Sequence, residues 1–304
     1  MLQAGGWLLL LPHASCLSAF WPYGSGVIRP AAGPTIIPLS NGNLTFSGGD
    51  VGATASYRAE GADAAYTEAT TKEKTLSAKN LSAVTSATKE LLRRSPLAVA
   101  SIVQNDLAAA FVQAMDLAAL RGDGSSNTPV GLKNMMASGN KIAAAAGKTP
   151  TFTVIDMYAS QMIESIEGQN VPVINPCWIM ATRVANYLRT LRGVNGEKIY
   201  PLMDGSSPVF WGYPVFLSNQ VPRNLGGGTN ESEIYLTDMA HFWMGDAGNM
   251  EMSISDEAAF VQGGNLVSAW SRNLVAIKIN GSHDFKLRYD NSAAMLTGVQ
   301  WGAP

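Results

Sequence analysis

The sequence predicts a mixed α+β fold, and three observations carry that expectation. One stretch, residues 96–121, is rich in helix formers, with apolar side chains recurring at steps of three and four. The second half of the chain holds several short strand-like runs bounded by Gly and Pro. Strands and helices do not alternate regularly, which argues against a doubly wound parallel sheet and for a chain that passes more than once between an outer and an inner unit.

Composition narrows the function classes. The chain has 304 residues, of which 46% are hydrophobic and only 14% charged, against about 25% charged in an ordinary soluble domain. Subunit interfaces deplete charge at their centres, so surface covered by other subunits is the simplest account. A net charge of −2 with no basic patch argues against a dedicated nucleic-acid binder. Cys16 and Cys177 form no CxxC pair, so neither a zinc site nor a disulfide framework is indicated.

The opening GWLLLLPHASCLSAFW is apolar, but no Lys or Arg precedes it and Pro12, His13 and Ser15 interrupt it. It reads as neither a signal peptide nor a membrane anchor, which needs about 20 apolar residues. The first fifty residues carry only Arg29 and Asp50 as charges, so an arm lying along other protein surfaces is expected. TIIPL (35–39) and NLTF (43–46) read as extended. Residues 57–80, YRAEGADAAYTEATTKEKTLSAKN, are polar and poor in aliphatics. They are either a disordered surface loop or a two-stranded projection that a neighbour supports.

Ser95 is then an N-cap candidate with Pro96 at the first helical position. Val99, Ile102, Val103, Leu107, Ala110, Phe111, Ala114, Leu117 and Leu120 form the expected apolar stripe of a rod about 39 Å long. Gly122 is expected as a left-handed C-cap. A second helix is predicted over 153–166 with Gly168 as its stop, a strand over VPVIN (171–175), and a helix near 182–191. Short strands follow at PVFW, PVFLS and EIYL. Late in the chain LVSAWSRNLVAIKI and HDFKLRYD read as two long strands separated by an Asn280-Gly281 turn.

The glycine-rich stretch RGDGSSNTPVGL, residues 121–132, invites three readings: a phosphate-cradling loop, an adhesion tripeptide, or an architectural stop and turn. A phosphate loop needs GxxxxGK[ST], and here Lys133 stands two residues after Gly131 with no hydroxyl after it. Arg121-Gly122-Asp123 is a three-residue coincidence at a helix terminus, whereas a helix stop accounts for every glycine at once. No metal spacing joins His13, His241 and His283, and there is no GxSxG. Cys177 reads as an inert core thiol, and Glu231 and Glu233 as a solvated face. Neither a catalytic centre nor a metal or cofactor site is expected.

Taken in order, the motifs resemble the tailed-bacteriophage major capsid protein family, whose fold is named after phage Hong Kong 97. ALRGDGSSNTPVGLKN is similar to that family's helix end and G-D-G-x-x-x-x-P-x-G-L turn, and AGGWLLL to its opening. YRAEGA resembles its loop tip, INPCWIMATRVANYLRTLRGVNGEKIY its outer-domain passage, and FWGYPVFLSNQVP its L-x-G-x-P-V-x-x-S-x-x-x-P. HFWMGDAGNMEMSISDEAAF resembles its late G-D…I…S…F, and SRNLVAIKINGSHDFKLRYDNSAAMLTG its closing strands. The similarity runs from about residue 4 to 301, and the order of the motifs is its strong part.

The resemblance implies an N-terminal arm (1–41), an extended β-hairpin loop (42–81), a peripheral domain with a long spine helix (82–134) and an axial domain (135–240). Peripheral strands (241–292) and a return strand to the axial domain (293–304) complete it. It implies contacts between subunits through Tyr57, Arg58, Glu60, Asp63, Tyr66, Glu68, Lys72 and Lys74 of the extended loop and through Trp7, Phe20 and Trp21 of the arm. Gly122, Asp123, Gly124, Pro129 and Gly131 form the helix-stop turn. The implied partners are copies of the same chain in hexamers and pentamers, a scaffolding protein, a portal, a maturation protease and packaged double-stranded DNA bound without sequence specificity. No membrane is implied; the place is the virion capsid, assembled in the bacterial cytoplasm.

Two departures from the family bear on these expectations. The charged scaffold segment with which many members begin is missing ahead of residue 1, so scaffolding is expected from a separate protein or from a segment already removed. Gly61 stands where the founding member has its cross-linking lysine, and the partner region reads QGGN at 262–265, which argues against an autocatalytic cross-link. An encapsulin-like compartment holding an enzyme cargo is the alternative function, and an enzyme without a recognisable motif a third.

Overall fold

The computed structural model describes residues 33–304 apart from 52–56, 58–62, 64–69, 95, 146, 170, 249 and 250. Strands β1 (Thr35–Pro38), β2 (Asn43–Val51), β3 (Thr70–Ser77) and β4 (Lys79–Thr88) lead to a short helix α1 (Lys89–Arg94) and the long helix α2 (Pro96–Arg121). Next come α3 (Leu132–Met135), β5 (Lys141–Ala143), α4 (Phe152–Glu167), β6 (Pro176–Met180), α5 (Thr182–Thr190), β7 (Val209–Phe210) and β8 (Tyr213–Leu217). The chain ends with β9 (Ser232–Asp238), β10 (Phe242–Asp246), β11 (Glu251–Ser255), β12 (Ala259–Gln262), β13 (Asn265–Ser268), β14 (Leu274–Leu287) and β15 (Ala293–Val299). The mixed α+β class expected from the sequence is what these elements form.

The chain divides into two compact units, and both α2 and β14 contribute residues to each. The larger unit contains Met115–Ala247 and His283–Pro304 together with the segment that ends at Asn80. Its centre is a six-stranded sheet in the order β5-β15-β9-β6-β8-β7. Trp178, Met180, Ile234, Leu236, Ala294 and Leu296 alternate along three central strands and meet Ile155, Met162 and Ile166 of α4 and Val184 and Leu188 of α5. The opposite face is also buried: Ile179 lies beside Ala119 and Leu120 of α2, Leu132, Met239 and Phe242. Every residue of β9 is buried, so this strand is a run without polar alternation.

In the smaller unit, built from Leu81–Ala114 and Gly248–Ser282, β4 and β11 both pair with β14. Leu107 and Phe111 of α2 pack on Ile277 and Ile279 of β14, with Leu81, Ala83 and Val103 around them. Lys89 Nζ pairs with Asp256 Oδ2 at 2.9 Å. A hairpin, β12–β13, stands apart from the other sheets. Phe260 and Val267 pair on one of its faces, with Val267 buried, while Val261 and Leu266 pair on the other and are 70% and 76% exposed.

Several expectations are corrected. Residues 171–175 are not a strand: the backbone N–H groups of Ile174 and Asn175 donate to the buried Asp238 carboxylate at 2.7 and 3.0 Å instead of to a ladder. No turn occurs at Asn280-Gly281, because β14 runs through both. Gly281 serves a close approach there, since a Cβ would lie 2.7 Å from Phe111 Cζ. The run from 266 to 279 is broken instead at 269–273, where Leu274 N bonds Ala269 O at 2.8 Å and Asn273 has φ 54°. The helix begins and ends where expected, but Ile102, Ala110, Ala114 and Leu117 are exposed, whereas Leu107, Ala108, Phe111, Val112, Met115, Ala119 and Leu120 are buried. A helix apolar around most of its circumference does not mark its inward face by period alone. Ser95 lies outside the described residues.

Candidate functional site

The turn that closes α2 is held by backbone and charge together. Gly122 N bonds Ala118 O at 2.9 Å, ending the helix, and Gly131 N returns to Gly122 O at 2.8 Å. Gly122 is not left-handed, in contrast to the expected C-cap. A Cβ on it would lie 2.1 Å from Pro129 O, and one on Gly131 would lie 2.5 Å from Gly122 N, so the two glycines let two backbones touch. Positive φ falls instead on Gly124 (78°), Ser126 (48°) and Asn127 (64°). Asp123 Oδ1 accepts from Ser125 N at 2.9 Å, from Ser125 Oγ at 2.8 Å and from Thr128 Oγ1 at 3.2 Å. These bonds, the Ser125 backbone first, hold its carboxyl below the usual range.

Both ends of the turn converge on one carboxylate. Glu233 is 1% exposed, which corrects the expectation of a solvated side chain, and Glu231 beside it is part-exposed. Lys133 Nζ approaches Glu233 Oε1 at 2.6 Å, and Arg121 Nε lies 3.4 Å from Oε2. Tyr235 OH donates to Oε2 at 2.7 Å. Burial, followed by the charge of Glu233, pushes the Tyr235 phenol up, so it remains a donor. The residues facing solvent, 123–128, satisfy one another, which leaves the architectural reading of this stretch as the one its geometry fits.

The hairpin β2–β3 is the second region of interest. Its antiparallel register runs from Asn43↔Ser77 to Val51↔Thr70, so the two-stranded reading of this segment holds for its base. Along β3, Lys74 and Leu76 turn inward while Glu73 and Thr75 are exposed. Lys74 was expected to touch a neighbour, but it is 8% exposed. Its Nζ donates to Leu287 O and Arg288 O, both at 3.0 Å, and to Asp290 Oδ1 at 2.7 Å. Phe46, opposite Lys74 on β2, lies 4.5 Å centroid to centroid from Trp243.

Among the other expected contact residues, Tyr57 and Asp63 are exposed. Trp7, Phe20, Trp21, Arg58, Glu60, Tyr66 and Glu68 lie outside the described residues, and Lys72 is placed in β3 by its backbone only. Cys177 is buried, and desolvation with the nearby Asp238 charge raises its thiol far above neutrality, as expected of an inert core cysteine. His241 Nε2 sits 2.8 Å from Pro172 O, and burial pushes His283 down to about 4. Among the described residues no group of three His, Cys, Asp or Glu could hold a metal ion, and no helix is long and apolar enough to cross a membrane.

The described residues form two α+β units, a 26-residue helix with residues in both and a two-stranded hairpin. The solved "capsid of native GTA particle computed with C5 symmetry" has this fold, with a TM-score of 0.68 and 14% identity over 98% of this chain and 94% of that one. A family model described as "Phage capsid family" matches residues 25–298, and the chain belongs to that family. The "major capsid protein" of Klebsiella oxytoca phage phiKO2 is 35% identical over 269 residues, and the "capsid polyprotein" of Pseudomonas phage PAJU2 is 25% identical over 251. Those alignments take in 88% and 76% of this chain but only 62% and 35% of the two relatives' own lengths. The family is structural, in keeping with the expectation that the chain is not an enzyme.

Proposed function

We propose that this chain is a major capsid protein that self-assembles through hexamers and pentamers into the icosahedral shell of a tailed phage or prophage, enclosing double-stranded DNA. The observation that carries the reading is the 35% identity to a phage major capsid protein over 88% of the chain. Within it, α2 is the spine helix and β2–β3 with residues 52–69 the extended loop. The peripheral domain is built around the unit of Leu81–Ala114 and Gly248–Ser282, and the axial domain around the six-stranded sheet. The shell forms in the host cytoplasm with a scaffolding protein, portal and maturation protease as partners.

Exposure in the lone subunit supports the reading. Val261, Leu266 and Trp270 are 70%, 76% and 75% exposed, with Ile254 exposed near them in sequence. Large apolar side chains left open in this way suit a surface that other subunits cover. The family also favours a phage shell over an enzyme-storing compartment. Negative-stain microscopy of the expressed protein, with analysis of what co-purifies, tests this. Closed shells of uniform diameter are expected. A persistent monomer would refute assembly, and an enzyme packaged in place of nucleic acid would refute the phage reading.

A further inference from the structure

We propose that Lys74 is a positioning residue: by fastening β3 to the segment after β14, it sets the direction in which the β2–β3 hairpin leaves the subunit, and so the geometry in which one subunit engages the next. The second half rests on the assembly reading above; the first rests on geometry alone.

A single amine, nearly removed from water, meets two backbone carbonyls and a carboxylate. An ammonium has three N–H donors, and all three are satisfied here. The acceptors are themselves fixed: Arg288 N bonds His241 O at 2.8 Å, and Ala137 N bonds Asp290 O at 2.9 Å. The Arg288 guanidinium lies 5.7 Å from the Trp243 ring, the same ring that meets Phe46 of β2. Ser77 N donates to Asp284 Oδ2 at 2.8 Å, and Ala78 N to Gly42 O at 2.8 Å. Both strands are therefore tied at their base, by an aromatic contact on one and by charge-assisted bonds on the other.

The consequence is a lever. A two-stranded ribbon has no third strand to stiffen it. From Lys74 to the Val51↔Thr70 pair the ladder runs on for about 14 Å, so a 10° swing at the base moves that pair by about 2 Å. Hydrogen bonds to a neighbouring subunit do not survive such a displacement. Hydrophobic packing alone tolerates rotation, whereas three directed bonds to one nitrogen do not.

The test uses Lys74→Met, which keeps the stem and removes the donors, with Lys74→Arg as the conservative variant. Hydrogen exchange is read on subunits kept unassembled, and particles are counted by microscopy. For Lys74→Met, exchange at β2–β3 amides should rise at least tenfold with β6 and β9 unchanged, and closed shells should fall at least tenfold in favour of open or irregular sheets. Lys74→Arg keeps the charge but spreads its donors over a planar fork, so it should restore both only in part, to values between those of Lys74→Met and the parent. Unchanged exchange overturns the proposal whatever the particle count. Raised exchange with normal closure also overturns it, and replacing residues 52–69 by a Gly-Ser linker then separates the causes. If that variant also closes normally, the hairpin is no assembly arm and its assignment as the extended loop fails, while the shell-forming function stands; if it does not close, the arm is needed and only the role of Lys74 has failed. Should Lys74→Met not fold, Asp290→Ala removes one bond at a part-exposed carboxylate; a rise of about threefold in the same amides is expected, and no rise overturns the proposal.

Discussion

Strands β9 and β11 are built from similar residues and meet opposite fates. SEIYLTD is buried at every position and EMSIS exposed at every position. In β9 the two faces are covered by helices of the same unit, and both its carboxylates are satisfied within it: Glu233 by Arg121 and Lys133, and Asp238 by the backbone N–H groups of Ile174 and Asn175. In β11, Met252 and Ile254 stand opposite Ile279 and Ile277 of β14, which are buried, yet remain open themselves. Hydrophobicity alone does not separate a folding core from a surface kept for other chains. What separates them is whether the chain supplies its own cover.

The largest expected effect tests the closed side of that contrast. Trp178 is fully buried, and its indole N–H donates to Phe210 O at 2.9 Å. Trp178→Ala should cost about 4 kcal/mol from lost packing, cavity and an orphaned carbonyl. Denaturant unfolding of the unassembled subunit measures it; a loss below about 1 kcal/mol would mean that the six-stranded sheet is not the core.

Next in size is a pH effect from the same unit. Burial holds His283 at about 4, against the pull of Asp246 across the ladder. The folded value lies below the unfolded one, so the stabilising contribution is complete above pH 6.5 and is lost as pH falls through 4, amounting to about 3 kcal/mol. Asp284 beside it is raised by burial, so its protonation at low pH favours the fold and has the opposite sign. Comparing the parent with His283→Gln from pH 7 to 4 isolates the histidine: the parent should lose about 3 kcal/mol more than the variant.

Gly122→Ala comes third, at about 2 kcal/mol, because the added carbon meets the backbone oxygen of Pro129, which has no rotamer to move away. Gly124→Ala acts through its positive φ instead, at about 1 kcal/mol. Thermal melts that rank the two the other way would show that the turn yields where α2 and its return segment meet.

The same contrast explains what the sequence made legible. The extent of α2 followed from its composition, and the helix stop from the glycines, although Gly122 was expected for its dihedral and is needed for its missing Cβ. The inward face of α2 was not legible, since a helix apolar around most of its circumference offers little contrast. Nor was the Asn280-Gly281 position, where the residues of a turn serve a strand that must admit Phe111. Glu233 read as solvated and Lys74 as a contact to a neighbour, because their partners within the chain lie 112 and 216 positions away for the Arg121–Glu233 and Lys74–Asp290 pairs. The one hint was alternation: Lys74 shares its strand face with Leu76, and Glu233 shares its face with Tyr235. Charge pattern dominated the reading where strand period carried the information.

The smallest effect on stability, and the sharpest test of the open side, concerns β12–β13. Val261 and Leu266 face each other across the ladder and point away from Phe260 and Val267. Because both side chains are mostly in water already, the double change Val261→Ser and Leu266→Ser removes little burial, and the subunit should keep its stability to within about 0.5 kcal/mol. An assembled shell is different, since these side chains would lose their water to a neighbour, at about 25 cal/mol for each Å² of apolar surface covered. Repeated at every equivalent contact, a small loss per subunit shifts the concentration needed for closure steeply. The variant should therefore melt like the parent as a subunit and require at least tenfold more protein to form shells, measured by sedimentation across a dilution series. Parent-like assembly would mean that this face stays in solvent, and that the open strands of the smaller unit are not where subunits meet.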